Sequence, residues 1–282
     1  ASVVLQRYVD LAQKKSTLTE TVDPDAVSLA TPTYTTITLA EYGNAVLATR
    51  ALELFSLADV DPAIANIIAF NLADSIDQVA MTTLRGGTNV IYAGSTATST
   101  ATITAAATLA SANVRKAVAK LRAGKAVARK GSLFWAGIHP EVSHDLRAET
   151  GSGGWRDDHK YSETGASEFW PGTIGTYEGA MFVESPRLFN TTDGTGSSGA
   201  TGTFGTSSYV NATGGVRVFR TLVAGKQALA EAVAEEPHVI FGPIVDKLMR
   251  FRPIGWYGVL GWARYRDAAL VRIESTSSIH NS

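Results

Sequence analysis

The sequence predicts an α+β protein built around one long helix. The first observation is a helical period, because residues 61–85 place apolar side chains at every third or fourth position. The second is a stretch rich in Thr, Val and Ile before this helix, and the third is a mixture of helix and strand patterns after it. The apolar positions of the helix are Ile64, Ile68, Leu72, Ile76 and Val79.

Two regions precede the long helix. Residues 3–13 are predicted as a short amphipathic helix, capped by Ser2 and too short to be stable without a partner surface. Residues 17–57 are predicted as a long β-hairpin arm, with strands at 33–39 and 45–50 and a turn or bulge at 41–44. Few large apolar residues lie in the first half of this arm, so we expect it to order only against a partner.

The long helix should begin at Asp61-Pro62 and end at Arg85, with Gly86-Gly87 as a left-handed cap. Residues 88–104 are polar, and their composition fits either a loop or a short β excursion. The remaining predictions are helices at 105–123 and 140–146, strands at 133–138, 180–184, 216–223 and 269–273, a helix or an extended edge at 226–234, and polar loops at 151–165 and 190–215.

Composition limits the function classes. The chain has 282 residues, 45% hydrophobic and 18% charged, which suffices for one or two cores. Its net charge of −1 argues against a dedicated nucleic-acid binder, and the absence of cysteine excludes disulfides and thiolate chemistry. Charged residues near the start argue against a secretory signal. Residues 86–114 lack charge but are too rich in Thr and Ser to be a membrane span.

The best enzyme-like cluster is His139, Glu141, His144 and Asp145, three of which would share one face of the helix opened by Pro140. A helical zinc site needs two histidines four residues apart, whereas these two are five apart and one precedes the proline. A capped surface helix with ordinary polar groups explains the same residues. The metal interpretation is therefore the weaker one.

Other candidate sites are weaker still. Asp157-Asp158-His159 has no nucleophile beside it, and Glu235-Glu236 is more typical of a solvated element end. The series Gly172, Gly175 and Gly179 lacks the Lys-Ser/Thr ending of a phosphate loop. The aromatic residues between Phe251 and Tyr265 are better explained by packing than by base stacking. We therefore assign no catalytic, cofactor-binding or metal-ligating residue.

Several separated stretches resemble the major capsid proteins of tailed phages, which have the Hong Kong 97 type coat fold. The resemblance runs in order from about residue 17 to the end of the chain. It rests on Thr38-Leu39-Ala40-Glu41-Tyr42-Gly43, Ile138-His139-Pro140 with Asp145-Leu146, Gly175-Thr176-Tyr177-Glu178-Gly179, Phe182-Val183-Glu184, and Gly261-Trp262 ahead of residues 270–274.

The resemblance implies a domain layout. It assigns 1–16 to an N-terminal arm, 17–58 to an extended loop (E-loop), 59–87 to the spine helix of the peripheral (P) domain, 88–234 to the axial (A) domain, and 235–282 to a return into the P domain that completes its sheet. The loop 190–215 has no counterpart that we can assign. Residues 16–115 contain no lysine, so a covalent crosslink from the extended loop is not expected.

The implied function is a coat subunit that assembles into hexamers and pentamers of an icosahedral shell, located in the virion and built in the host bacterial cytoplasm. Its partners would be other copies, packaged double-stranded DNA contacted non-specifically through scattered arginines, and possibly a decoration protein, a scaffold and a portal, with no membrane and no cofactor. Two alternatives remain at this point: the shell of an encapsulin-like bacterial nanocompartment, and a metal-dependent enzyme using His139, Glu141 and His144.

Overall fold

The computed structural model describes residues 1–15, 17–21, 23, 26–56, 60–94, 96–149, 173–186, 188, 217–243, 246, 248 and 250–280. The predicted loops at 151–165 and 190–215 lie outside these residues. The chain divides into two compact units, of which the first is Ala1–Ala73 with Ala230–Ala263 and the second is Asp74–Leu229 with Arg264–Ser282.

Eleven strands and four α-helices are described. The strands are β1 (Ser2–Arg7), β2 (Thr33–Thr38), β3 (Ala40–Thr49), β4 (Val90–Tyr92), β5 (Phe134–Ile138), β6 (Thr173–Tyr177), β7 (Ala180–Glu184), β8 (Phe219–Ala224), β9 (Leu229–Phe241), β10 (Phe251–Arg264) and β11 (Leu270–Ser275). The helices are α1 (Arg50–Phe55), α2 (Val60–Arg85), α3 (Ser111–Ala123) and α4 (Pro140–Ala148).

The predicted helix at 3–13 is wrong, because its first part is strand β1. This strand pairs antiparallel with β2, so that Ser2 lies opposite Thr38 and Arg7 opposite Thr33. Two adjacent β-branched residues, Val3 and Val4, favour a strand, and a helix of this length gains little without tertiary packing. Pairing with a distant segment therefore decides the conformation.

The predicted hairpin within residues 17–57 is also wrong in its pairing. Strand β2 pairs with β1, whereas β3 pairs antiparallel with β10 over ten positions, from Ala40 opposite Leu260 to Thr49 opposite Phe251. The predicted turn at 41–44 lies inside β3. The arm is instead β1 and β2 with the connection 8–32, which we call the N-terminal arm from here on.

The new boundaries of the N-terminal arm change one expectation about covalent crosslinks. Lys14 and Lys15 lie in the connection between its two strands, and both are exposed. The expectation that no crosslink forms was based on an arm that begins at residue 17 and contains no lysine. The arm formed by β1 and β2 includes both lysines, so the absence of lysine from residues 16–115 no longer argues against an amine on this arm.

The predicted long helix is confirmed as α2, which has 26 residues. Within the first unit, Ile68 of this helix is buried with Ala48, Ile254 and Trp256, so one face packs on the sheet of order β3-β10-β9. Asn71, expected on the polar face, accepts a hydrogen bond from the indole Nε1 of Trp256 at 2.9 Å. A buried indole N–H needs such an acceptor.

The second unit is organised by a six-stranded sheet of order β4-β11-β8-β5-β7-β6. Its core contains Val114, Val118 and Leu121 of α3 and Val142 and Leu146 of α4, packed with buried residues of the strands. The predicted elements at 133–138, 140–146 and 180–184 are confirmed as β5, α4 and β7.

Several predicted boundaries in this region shift. The helix predicted at 105–123 begins only at Ser111. Residues 226–234 include the start of strand β9, so the extended interpretation is the correct one. Strands β6 and β7 form a hairpin whose two central residues, Glu178 and Gly179, have φ of 49° and 83°. Positive φ at both positions is the geometry of a tight two-residue hairpin turn.

The resemblance implied that the last strand joins the sheet of the first unit, but it does not. Strand β11 pairs parallel with β4 and antiparallel with β8, inside the six-stranded sheet. Its side chains Leu270, Val271 and Ile273 are buried. Strand β11 is therefore an interior strand of this sheet, with β4 along one edge and β8 along the other.

The left-handed glycine cap predicted after α2 is wrong. Gly86 and Gly87 have no positive φ, and their N–H groups bond back to the carbonyls of Thr83 and Leu84. A Cβ on Gly86 would lie 2.5 Å from Nη1 of Arg264, so a larger residue there would displace this guanidinium group. Arg264 donates to the carbonyl of Thr83 at 3.2 Å.

Two further arginines bind the carbonyl end of α2. Arg220 of β8 and Arg272 of β11 both donate to the carbonyl of Arg85. The last carbonyls of a helix lack intrahelical donors and carry the negative end of its dipole, so arginine stabilises this end. The arginines replace the glycine cap that the sequence predicted.

One buried carboxylate positions both of these arginines. Glu274 is fully buried, and its Oε1 lies 3.2 Å from Nε of Arg220 and 3.0 Å from Nε of Arg272. Its Oε2 accepts from Thr100 Oγ1 at 2.6 Å. The cluster thus joins β8, β11, the segment around Thr100 and the end of α2.

We expect Glu274→Gln to lower the free energy of unfolding by about 3 to 5 kcal/mol, because it leaves two buried guanidinium groups without their counter-charge. Chemical denaturation of unassembled subunits measures this. Glu231→Gln, which removes an exposed carboxylate on β9, is the matched control and should change stability by less than about 0.5 kcal/mol. Equal effects of the two substitutions would contradict the assigned role of the cluster.

Candidate interaction surface

The residues of the candidate metal cluster, His139, Glu141, His144 and Asp145, do not converge on one point, and most of them make separate structural contacts. The Nδ1 of His139 lies 3.3 Å from the backbone N–H of Glu141, which it caps, and its ring centre is 4.8 Å from that of Phe219. His144 is exposed, whereas Asp145 accepts from the backbone N–H of Ser278 at 2.8 Å. Over the part of the chain that the structure describes, no group of three or more His, Asp and Glu side chains could hold a metal ion.

The weaker candidates that the structure describes do not form a site. Asp157-Asp158-His159 and Gly172 lie outside the described residues. Gly175 lies in β6, and Gly179 in the turn that follows it. Glu235 and Glu236 are exposed and adjacent in β9, so their side chains point to opposite faces of the strand.

The aromatic residues near the C-terminus pack within the first unit. Trp256 is buried in its core, and the ring of Trp262 lies 6.4 Å from that of Tyr42. Arg250 stacks over Phe251 with its guanidinium carbon 5.3 Å from the ring centre. These contacts agree with the packing interpretation of this aromatic run. No helix in the described ranges has the length and apolarity needed to cross a membrane.

The distinctive feature of the first unit is its exposed apolar side chains. Among the described residues, every exposed large hydrophobic side chain except Val127 and Ile279 belongs to this unit. Scattered exposed apolar residues are ordinary, but a concentration of them indicates a surface that another macromolecule covers. Three segments carry most of these side chains, while Val46, Leu47, Val233 and Leu248 lie outside them.

The N-terminal arm is the first segment. Both faces of the β1–β2 pair are largely exposed, and Ile37 alone among its large apolar residues is buried. Its base approaches Gly261 of β10, where a Cβ would clash with the carbonyl of Thr38. A two-stranded ribbon without a covered face is marginally stable in water, so the arm needs a further partner. Its exposed apolar residues are Val3, Val4, Tyr8, Val9, Leu11, Leu18, Val27, Leu29 and Tyr34.

Helix α1 and the first turns of α2 form the second segment. The last residue of α1, Phe55, is 88% exposed, and Leu52 and Leu54 beside it are also exposed. On α2, Ile67 and Phe70 are 65% and 73% exposed. These two residues lie off the predicted apolar face of this helix. That displacement is a sequence signal for the surface, although none of the predictions above was based on it.

The end of strand β9 is the third segment. Ile240 and Phe241 are exposed there, and β9 is an edge strand of its sheet. Pro237 and the two adjacent glutamates lie in the same strand, and both features discourage uncontrolled pairing at an edge. The three segments are therefore suited to a specific protein contact that buries apolar side chains.

Comparisons with known proteins agree with a contact surface. A family model described as "Phage capsid protein" matches residues 3–279. No curated protein matches the chain.

Solved phage capsids have the same fold. The capsid of Ralstonia phage GP4 is 14% identical, with a TM-score of 0.76 over 98% of this chain and 83% of that one. The cyanophage Pam1 capsid asymmetric unit is 15% identical, with a TM-score of 0.71 over 98% and 85%. The capsid of Helicobacter pylori bacteriophage KHP30 is 14% identical, also with a TM-score of 0.71 and the same coverage. The predicted α+β coat fold of the Hong Kong 97 type is confirmed.

We expect Phe70→Ser to weaken self-association of the subunit without lowering its free energy of unfolding by more than about 0.5 kcal/mol, because the ring is mostly in water in the isolated subunit. Sedimentation velocity measures the association. Val127→Ser, at a residue 54% exposed in the second unit, is the control and should leave association unchanged. Loss of folding in Phe70→Ser, or normal association, would show that this ring is not part of a contact surface.

Proposed function

Because this chain belongs to the phage capsid protein family, we propose that it self-assembles into the hexamers and pentamers of an icosahedral shell around the double-stranded DNA of a tailed phage. It is a capsid protein of the virion, and its role is structural. The family match favours a viral coat over the nanocompartment shell, and the separated positions of His139, Glu141 and His144 do not favour the enzyme.

The observation that carries the proposal is the concentration of exposed apolar side chains in the first unit. Burial of about 1,000 Å2 of apolar surface per subunit would contribute on the order of 25 kcal/mol before the costs of ordering and association. Contacts of this size, repeated by symmetry, are sufficient to hold a shell together. No catalytic group is required for this function.

In this proposal, α2 is the spine helix and the N-terminal arm is the extended loop that covers a neighbouring subunit. The sheet of order β3-β10-β9 belongs to the P domain, and the six-stranded sheet to the A domain. The arm then begins at β1 rather than at residue 17, and β11 belongs to the A domain. Assembly takes place in the host bacterial cytoplasm, and a decoration protein, a scaffold and a portal are further proposed partners.

Electron microscopy of the protein expressed alone, or together with a scaffold, tests the proposal. We expect closed icosahedral shells or, at low concentration, ring-shaped capsomers. A protein that stays monomeric under all conditions that support folding, with or without a scaffold, would contradict it. The presence of duplex DNA in particles from infected cells distinguishes a genome container from a cargo compartment.

We also expect the N-terminal arm to be protected by assembly. Limited proteolysis of free subunits should cut within residues 8–32, because the described residues of this connection form no helix or strand and all of them except Pro32 are exposed. Assembled shells should resist the same protease, and cleavage in the second unit should not differ between the two states. Equal cutting of the arm in shells and free subunits would show that no neighbour covers it.

A further inference from the structure

The second unit carries a strongly basic surface that the net charge conceals. Seven basic residues lie within the sixteen positions from 115 to 130, and no Asp or Glu occurs between Asp77 and Glu141. All seven side chains are exposed. We call this set the basic surface: Arg115, Lys116, Lys120, Arg122, Lys125, Arg129 and Lys130.

The basic residues of helix α3 lie on its exposed side, away from its buried face. Val114, Ala117, Val118 and Leu121 pack into the core, which leaves the basic positions on the opposite, solvent side. Lys116 and Lys120 are four residues apart and therefore lie about 6 Å apart along the same face of the helix. The helix presents parallel, flexible cationic side chains to solvent.

The segment after α3 continues this surface. The backbone N–H of Lys226 donates to the carbonyl of Val127 at 2.8 Å, and Arg266 Nη2 donates to the carbonyl of Gly124 at 2.8 Å. Both contacts bring further cationic residues to the segment. Three carboxylates lie close to this surface. Glu178 lies 3.8 Å from Arg115, and Asp267 lies 3.1 Å from Arg264. Glu149 accepts hydrogen bonds from the backbone N–H and the hydroxyl of Ser111 at the start of α3.

A purely structural explanation covers part of the set. Lys120 and Arg122 lie in the last turn of α3, where a cation stabilises the negative end of the helix dipole. Arg115 and Lys116 lie near the other end of the helix, where a cation is disfavoured by the same dipole. Lys125, Arg129 and Lys130 follow the helix and are not explained by it.

We propose that the basic surface binds the phosphate backbone of duplex DNA without reading its sequence. The proposal rests on the proposed function, since the genome is the duplex that a phage shell encloses. Four of the seven residues are lysines, which are depleted in protein–protein interfaces but well suited to contact phosphates as mobile point charges. Genome contacts are then concentrated on one surface, and not made by scattered arginines as the resemblance implied.

The test compares three double substitutions in full-length subunits purified before assembly. Lys116→Ala with Lys120→Ala removes two charges from the basic surface, and alanine favours the helix at these exposed positions. Lys14→Ala with Lys15→Ala removes the same charge from the N-terminal arm. Lys116→Arg with Lys120→Arg keeps the charge. Binding to a short duplex DNA of mixed sequence is measured by fluorescence anisotropy between about 50 and 200 mM salt.

For the wild-type subunit, four phosphate contacts would weaken binding about 100-fold across this salt range. We expect the Lys116/Lys120 alanine variant to lower the slope of log K against log salt by about 1.8, which is about 0.9 for each lost contact. The arginine variant should restore the slope, and the Lys14/Lys15 variant should retain it. Randomising the DNA sequence should change nothing.

An equal loss in the two alanine variants, or an unchanged slope in both, would overturn the proposal. So would unchanged DNA binding combined with weaker subunit association in the Lys116/Lys120 variant, since this would identify an acidic segment of a second copy as the partner. Electron microscopy of the wild-type protein is run separately. Absence of shells there would count against the proposed function, while the salt slopes still decide the basic surface.

Discussion

The second unit depends on a single buried carboxylate at the carbonyl end of α2, whose last residues belong to this unit. Glu274 holds Arg220 and Arg272, which in turn bind the last helical carbonyl of α2. A buried ion cluster of this kind is costly to desolvate and therefore stable only when its partners are complete. Because the partners come from β8, β11 and α2, the six-stranded sheet and the helix end must form together. The result is a unit with a closed core.

The first unit follows the opposite principle. Its own core is small, formed around Ile68, Ile254 and Trp256, and a large share of its apolar side chains remains in water. A coat subunit benefits from this difference, because side chains that cannot be buried within one chain favour burial between chains. The exposed apolar side chains lower the stability of the unassembled subunit, and their burial on assembly offsets this loss. The second unit therefore provides a stable folded core, and the first unit provides the surface for association.

Charge is distributed as unevenly as apolar surface. The net charge of −1 is a sum in which the basic surface on α3 and the following segment is balanced by acidic residues elsewhere. Examples of these acidic residues are Glu231, Glu235 and Glu236 on β9. Non-specific affinity for DNA depends on the local density of cations rather than on the total, because each neutralised phosphate releases counterions independently. A neutral chain can therefore contact a genome through one surface without being a dedicated DNA-binding protein.

The sequence by itself determined the elements whose signal is local. The period of α2, the His139-Pro140 start of α4 and the apolar runs of β5 and β7 depend on neighbouring residues, and separated motifs sufficed for the coat fold. Strand partners were decided only by the tertiary structure, because a strand is stabilised by whichever segment pairs with it. The first part of residues 3–13 forms a strand that pairs with β2, and not the predicted helix. Strand β3 pairs with β10 and not with its neighbour in sequence, and β11 pairs with β4 and β8. Gly86 and Gly87 make room for distant side chains, a requirement that no local pattern contains.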